Sequence, residues 1–102
     1  MQYNVLIVDD DKSVRDNLKI LLDNEPDYKV IFAQNGKEAF RVLENCEIDA
    51  LLCDINLPDI SGFELLKTVI GSYPQIPVVI ITAYSSWQTA RDALKSGAFD
   101  YI

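Results

Sequence analysis

The chain has 102 residues, which is enough for one domain with a single hydrophobic core and too few for two. Hydrophobic residues make up 49% of it and charged residues 25%, a composition typical of folded globular proteins rather than disordered or fibrous ones. The net charge of −7 argues against binding of nucleic acid or an anionic membrane, because clustered Lys and Arg bind both.

The sequence contains no His, so it lacks the usual general base and the usual zinc ligand, and its chemistry must depend on carboxylates. Cys46 and Cys53 do not have metal-ligand spacing, and we expect both to be small buried hydrophobic residues. No apolar run approaches the length of a membrane span, and no signal segment precedes the first apolar run. We therefore expect a cytoplasmic location.

Five segments predict β-strands, and three of them contain continuous apolar runs, as in strands covered on both faces. In chain order they are residues 5–8, 29–33, 50–53, 78–81 and 99–102. Gly97 is expected to end the helix before the last of them.

Helical periodicity separates these strands. The predicted inward stripes are Val14, Leu18, Leu21 and Leu22; Ala39, Leu43 and Cys46; Phe63, Leu66 and Ile70; and Ala90, Ala93 and Leu94. Regular alternation of strands and helices predicts an α/β fold with an open, doubly wound parallel sheet and right-handed crossovers.

The end of the chain departs from this pattern, because no helix follows the last predicted strand. One face of the sheet would then lack its cover, and burial of each apolar side chain contributes roughly 1.5–3 kcal/mol. We expect residues 1–102 to form one domain that is truncated at its C-terminal end. A homodimer, for example one formed by segment exchange, would be another way to cover this face.

Ligands of doubly wound sheets bind at the carboxyl ends of the strands, so the residues that follow each strand are the candidates for function. Asp9, Asp10 and Asp11 follow the first strand, Asp54 follows the third and Thr82 follows the fourth. Carboxylates that share a pocket are stabilised by a divalent cation, and Mg²⁺ divides its coordination sites between carboxylates and phosphate oxygens. The sequence therefore predicts a phosphoryl-transfer site, in which a carboxylate can itself be the nucleophile.

Each candidate also has a structural interpretation. Asp11 directly precedes a helix and is better explained as its N-cap. Thr82 and Tyr101, taken singly, would be residues of strands, and Gly62 would permit close packing at the start of the third helix. The combination of Asp9, Asp10 and Asp54 at neighbouring strand ends is not explained by capping alone.

Four motifs together resemble the receiver domains of response regulators in two-component signalling. They are VLIVDDD at 5–11, DINLPDISG at 54–62, ITAY at 81–84 and GAFDYI at 97–102, and the resemblance covers the entire chain. The motifs at 81–84 and 97–102 look most like those of receivers attached to transcriptional activators. The resemblance implies a flavodoxin-like sheet of five strands in the order 2-1-3-4-5, with the last helix of the family absent from this chain.

The resemblance also implies a function for each site residue. Asp54 would accept a phosphoryl group from a histidine kinase, and the domain would assist its own phosphorylation and dephosphorylation. Asp9, Asp10, Asp54 and the main-chain carbonyl of Asn56 would bind Mg²⁺. Thr82 would contact a phosphoryl oxygen, and Tyr101 would change its packing in response. The change would reach an output domain or effector outside this chain, for example one that regulates transcription.

Two alternatives remain open at this point. Asp9, Asp11 and Ser13 also have the spacing of the first motif of haloacid-dehalogenase-like phosphatases, in which Asp9 would be the nucleophile and Asp11 the general acid. A non-phosphorylated pseudo-receiver that serves only as an interaction module is the other, because the chain ends before the Lys that receivers carry at the end of the fifth strand.

Overall fold

The computed structural model describes residues 2–81, 91–92, 94–95, 97–98 and 100–101, the last pair by backbone alone. Strands and helices follow one another as β1 (Tyr3–Val8), α1 (Lys12–Asp23), β2 (Tyr28–Ala33), α2 (Gly36–Asn45), β3 (Ala50–Cys53), α3 (Gly62–Ser72), β4 (Val78–Ile80) and β5 (Asp100–Tyr101). In this described part of the chain, five parallel strands form one sheet in the order β2-β1-β3-β4-β5. The predicted fold class and strand order are confirmed.

The strands lie close to their predicted positions. β1 begins two residues earlier than predicted, at Tyr3, because it pairs with the start of β2 at Tyr28. The fifth strand is present at Asp100 and Tyr101, which pair with Val79 and Ile80. The other two residues of its predicted range, 99 and 102, lie outside the described residues.

The main core lies between one face of the sheet and helices α2 and α3. Alternate residues of the strands point to this face, and they pack against the buried stripes of the two helices. Its fully buried members include Leu6, Val8, Leu51, Ile80, Ala39, Leu65, Leu66 and Val69. The predicted stripe of α3 is right at Leu66, but Phe63 and Ile70 are only half-buried, because the helix turns Leu65 and Val69 inward beside Leu66.

Helix α1 covers the opposite face and packs against β2. Val14, Leu18 and Leu22 of its predicted stripe are half-buried, whereas Leu21 is 66% exposed and its prediction as an inward residue is wrong. Leu18 and Leu22 are about one helical turn apart and lie on the same face of α1. Leu21 is rotated by about 100° from Leu22 around the helix axis, which places it on the flank of the helix. No described residue covers that flank well enough to bury it. Leu94, predicted to face inward on the fourth stripe, is 49% exposed, so that prediction is also wrong, and Ala90 and Ala93 lie outside the described residues.

The two thiols have different environments. Cys53 is buried, as predicted, but Cys46 is exposed, so its predicted burial is wrong. Helix α2 ends at Asn45, and Cys46 has extended backbone, which takes its side chain off the stripe that contains Leu43. Among the described residues, no helix has the length and apolar character required to cross a membrane.

Candidate functional site

The register of the sheet places the predicted acidic residues at one edge. Val8 of β1 is aligned with Cys53 of β3, so Asp9 and Asp54, which follow them, leave adjacent strands at the same level. Main-chain hydrogen bonds continue past both strand ends, since Asp54 N donates to Val8 O at 3.0 Å and Asp9 N donates to Ala33 O at 3.1 Å. The positions of the two carboxylates are therefore set by the sheet itself.

Asp10 completes the set, which we call the acidic cluster (Asp9, Asp10 and Asp54). One carboxylate oxygen of each residue lies within 4.8 Å of the other two. Asp9 is buried, Asp54 is half-buried and Asp10 is exposed, so the cluster extends from the interior to the surface. The structure thus brings together the three acidic side chains that the sequence predicts as metal ligands.

Electrostatics make the cluster unfavourable without a cation. Burial raises the pKa of the Asp9 carboxyl above its ordinary value, and the charges of Asp54, Asp10 and Asp11 raise it further. The hydrogen bond from Asp11 N to Asp9 Oδ1, at 2.9 Å, acts in the opposite direction. A divalent cation would relieve this repulsion.

The donor set fits Mg²⁺, which binds hard oxygen ligands at about 2.1 Å in an octahedron and therefore holds its ligand oxygens roughly 3–4 Å apart. The oxygens of the acidic cluster all lie within 4.8 Å of one another, which is close to this spacing. Small movements of exposed Asp10 would bring them to ligand spacing, since a surface side chain changes rotamer easily.

Asp11 does not belong to this cluster. Its Oδ1 accepts a hydrogen bond from Ser13 N at 2.8 Å, and the residue is the N-cap of α1. The predicted capping role of Asp11 is confirmed. Because this carboxylate faces the start of the helix, the structure gives no support to a general-acid role for it beside Asp9.

The segment between β3 and α3, residues 54–61, forms the second wall of the site and is called here the β3-α3 loop. Asn56 N donates to Asp54 Oδ1 at 3.2 Å, which turns Asn56 back toward the phosphoacceptor candidate. Asn56 also forms a bridge with Ser61, and Gly62 N donates to Ile55 O at 2.8 Å, so the loop is closed at its base. An open cleft beside the loop is lined by Asp10, Asn56, Asp59, Ser61 and Glu64, among others.

Two predicted switch residues lie at the limit of the described chain. Thr82 lies outside the described residues. Tyr101 is described by its backbone, which pairs with Ile80 in β4, while its side chain lies outside the description. Ile81 N donates to Cys53 O at 2.8 Å, so β4 reaches the same edge of the sheet as Asp54.

Sequence reasoning missed Arg15. Its Nη1 donates to the main-chain oxygen of Asp9 at 2.7 Å, which ties the first turn of α1 to the segment that follows β1. The available signal in the sequence was a basic residue in the first turn of a helix that follows an acidic run. The acceptor of its hydrogen bond is a main-chain oxygen, and because every residue has one, this contact leaves no pattern in the sequence.

Gly62 is required by the close approach of the chain to itself, as the sequence predicts. A Cβ at this position would collide with Asp54 O and would lie 2.7 Å from Ile55 Cα, and both are backbone atoms that cannot rotate away. We expect Gly62→Ala to lower the free energy of unfolding by about 1–3 kcal/mol and to displace Asp54. Denaturant unfolding monitored by circular dichroism would measure this.

Gly71→Ala is the matched control for Gly62→Ala. Gly71 lies in the same helix as Gly62, α3, and a Cβ at Gly71 would meet no atom within 4 Å. Ala is the better helix former, so this variant should be more stable by about 0.4–1 kcal/mol. Equal destabilisation of the two variants would show that the close approach at Gly62 has no special importance.

Comparisons with known proteins agree with this geometry. The family model of the response regulator receiver domain matches residues 5–102. The transcriptional regulatory protein ZraR of Klebsiella oxytoca is 45% identical over 101 residues, which are 99% of this chain and 23% of that protein. The chain spans less than a quarter of the length of the curated relatives that it matches.

Solved structures share the fold. A CheY-like receiver domain protein from Methanospirillum hungatei is 34% identical with a TM-score of 0.91, and the match covers 100% of this chain and 81% of that one. Response regulator TrrA from Thermotoga maritima, solved in complex with Mg(2+)-BeF, is 29% identical with a TM-score of 0.87, covering 99% and 85%.

The sheet order and the acidic cluster are those of a CheY-type α/β signalling domain. The chain belongs to the response regulator receiver domain family. It is the receiver domain of a response regulator, and the similarity to ZraR confirms the predicted likeness to receivers of transcriptional regulators.

Proposed function

We propose that this receiver accepts a phosphoryl group on Asp54 from a phosphohistidine of a histidine kinase, with Mg²⁺ bound by the acidic cluster and the main-chain carbonyl of Asn56. One observation carries the proposal: Asp54 is held beside Asp9 and Asp10 at the carboxyl edge of the sheet, next to a solvent-open cleft whose lining includes Asp10 and Ile55. Asp54 is only half-buried, which leaves part of it open to a donor that approaches from solvent.

The transfer is an in-line displacement at phosphorus. A carboxylate oxygen of Asp54 attacks, an oxygen–phosphorus bond forms, and the nitrogen–phosphorus bond of the phosphohistidine breaks as the imidazole leaves. Asn56 N binds Oδ1 of Asp54, which leaves Oδ2 as the attacking atom. Bound Mg²⁺ would neutralise charge on the phosphoryl oxygens. The receiver itself supplies both the nucleophile, Asp54, and the ligands of the cation. It would therefore assist both its own phosphorylation and its own dephosphorylation.

The response to phosphorylation is proposed to involve Thr82 and Tyr101. The phosphoryl group adds a charge of about −2 at the strand ends, and a Thr82 hydroxyl that contacts it would favour one arrangement of the segment after β4. The pairing of β5 with β4 supports this proposal, since it aligns the backbone of Tyr101 with Ile80 of β4, the strand that precedes Thr82 in the chain.

The greater length of the relatives bears on the partners of this receiver domain. ZraR is a transcriptional regulatory protein more than four times as long as this chain, so we infer an output segment that acts on transcription outside residues 1–102. The binding of Mg(2+)-BeF by TrrA, a protein of the same fold, supports a magnesium-dependent site here.

The proposal is tested by mapping the modified residue. The full-length protein would be treated with acetyl phosphate and Mg²⁺, the acyl phosphate trapped by reduction, and the labelled peptide identified by mass spectrometry. We expect the label on Asp54. A label on Asp9 would instead support the dehalogenase-like mechanism, and absence of any label would support a pseudo-receiver.

A further inference from the structure

Asp59 binds a helix that is distant from it in sequence. Its Oδ1 accepts a hydrogen bond from Gly36 N at 2.8 Å, and its Oδ2 accepts one from Lys37 N at 2.9 Å. These are the first two amides of α2, which have no partner within the helix. The third, Glu38 N, donates to the side chain of Asn35 at 2.8 Å. Helix α2 therefore has two caps, one from its own N-cap residue and one from the β3-α3 loop.

The contact has a fitted shape as well as charge complementarity. Ile60 packs so closely on Gly36 that a Cβ at Gly36 would collide with the Ile60 side chain. Asp59 Oδ1 also accepts from Ile60 N at 2.9 Å, which fixes the carboxylate relative to its own backbone. The bonds from Gly36 and then Lys37 hold the pKa of Asp59 below its ordinary value, so the carboxylate is ionised at neutral pH where it meets the positive end of the helix dipole.

The first residues of the same β3-α3 loop include Asp54 and Asn56, whose oxygens are the proposed ligands of Mg²⁺. It is closed at its base by the bond from Gly62 N to Ile55 O and by the bridge between Asn56 and Ser61. The loop is thus attached at two points: at its base to β3 and α3, and through Asp59 to α2. An eight-residue connection attached only at its base would sample several conformations, and each would place the Asn56 carbonyl differently.

We propose that Asp59 is a positioning residue, which holds the β3-α3 loop against α2 so that Asn56 and Asp54 keep the geometry needed for Mg²⁺ and phosphoryl transfer. This inference rests on the proposed function. Asp59 is not a member of the acidic cluster, and it acts through the loop.

The test compares Asp59→Ala with Asn35→Ala in the full-length protein. Both variants remove a cap from the same end of the same helix, but only the first releases the loop. Both should lower the melting temperature by a few degrees. Asp59→Ala should raise the Mg²⁺ dissociation constant, measured by titration calorimetry, about tenfold, as do losses of groups that orient metal ligands. Asn35→Ala should leave it within about twofold of the wild type.

Asp59→Asn provides a graded variant, because its amide retains one acceptor oxygen for the three main-chain donors of Gly36, Lys37 and Ile60. It should fall between the wild type and Asp59→Ala in Mg²⁺ affinity and in the rate of labelling by acetyl phosphate. Equal Mg²⁺ affinities of Asp59→Ala and Asn35→Ala would overturn the positioning role and leave the proposed function intact. Failure of the wild type to bind Mg²⁺ would overturn both.

Discussion

Replacing Asp54 with Asn in the full-length protein is expected to reduce labelling by acetyl phosphate and Mg²⁺ by at least about 100-fold, to background. The amide has nearly the same shape and can still accept the hydrogen bond from Asn56 N, so the loop keeps its anchor. It lacks the anionic oxygen that attacks phosphorus. The measurement is incorporation of radiolabelled phosphate into the purified protein, with the melting temperature measured in parallel.

Asp11→Ala is the control for this experiment. It removes an acidic residue of the same segment whose carboxylate caps α1 and does not face the acidic cluster. Loss of the cap should cost about 1 kcal/mol of stability, but labelling should persist. Undiminished labelling of Asp54→Asn, or loss of labelling in Asp11→Ala with Asp54 intact, would contradict the assignment of the phosphoacceptor.

Replacing Asp9 with Asn should stabilise the protein in the absence of divalent cations. The pKa of Asp9 is raised mainly by burial, so the folded state binds its proton more tightly than the unfolded chain does. Ionised Asp9 therefore destabilises the fold at neutral pH, and this penalty disappears as the pH falls through the raised pKa toward 3.8. An Asn can keep the bond from Asp11 N without the charge.

We expect a gain of about 1 kcal/mol at neutral pH in EDTA, which is a rise of roughly 4–8 °C in melting temperature for a domain of this size. The same variant should gain less from added Mg²⁺ than the wild type does, because it has lost a ligand. Asp16→Asn is the control, since Asp16 is exposed and forms only a surface ion pair with Lys12 at 3.3 Å. That variant should change stability by no more than about 0.5 kcal/mol, as is usual for an exposed ion pair one helical turn apart. A wild type more stable than Asp9→Asn in EDTA would contradict the destabilisation of the fold by ionised Asp9.

The fold and the acidic cluster were predictable because they depend on local patterns. Apolar runs define the buried strands, and the rule that parallel strands share a carboxyl edge brings Asp9, Asp10 and Asp54 together before any coordinates are known. The N-cap role of Asp11 is likewise local, since the residue sits directly before α1.

What could not be predicted depends on contacts between distant segments or on small rotations. Asp59 binds amides 22 and 23 residues away, and Arg15 binds a main-chain oxygen, neither of which leaves a pattern in the sequence. Leu21 was misplaced because a helical stripe fixes the orientation of a side chain only to within one residue's rotation. Cys46 was misplaced because the helix ends one residue before it.

The different environments of the two cysteines have a practical consequence for studying this domain. Burial raises the pKa of the Cys53 thiol, with the charges of Asp54 and Asp9 adding to the effect, so it stays protonated and unreactive toward alkylating reagents. Cys46 is exposed at the far end of the ten-residue helix α2, about 15 Å from the helix start that Asp59 binds. A maleimide fluorophore would therefore attach at one known position and could report on α2 without occupying the cleft.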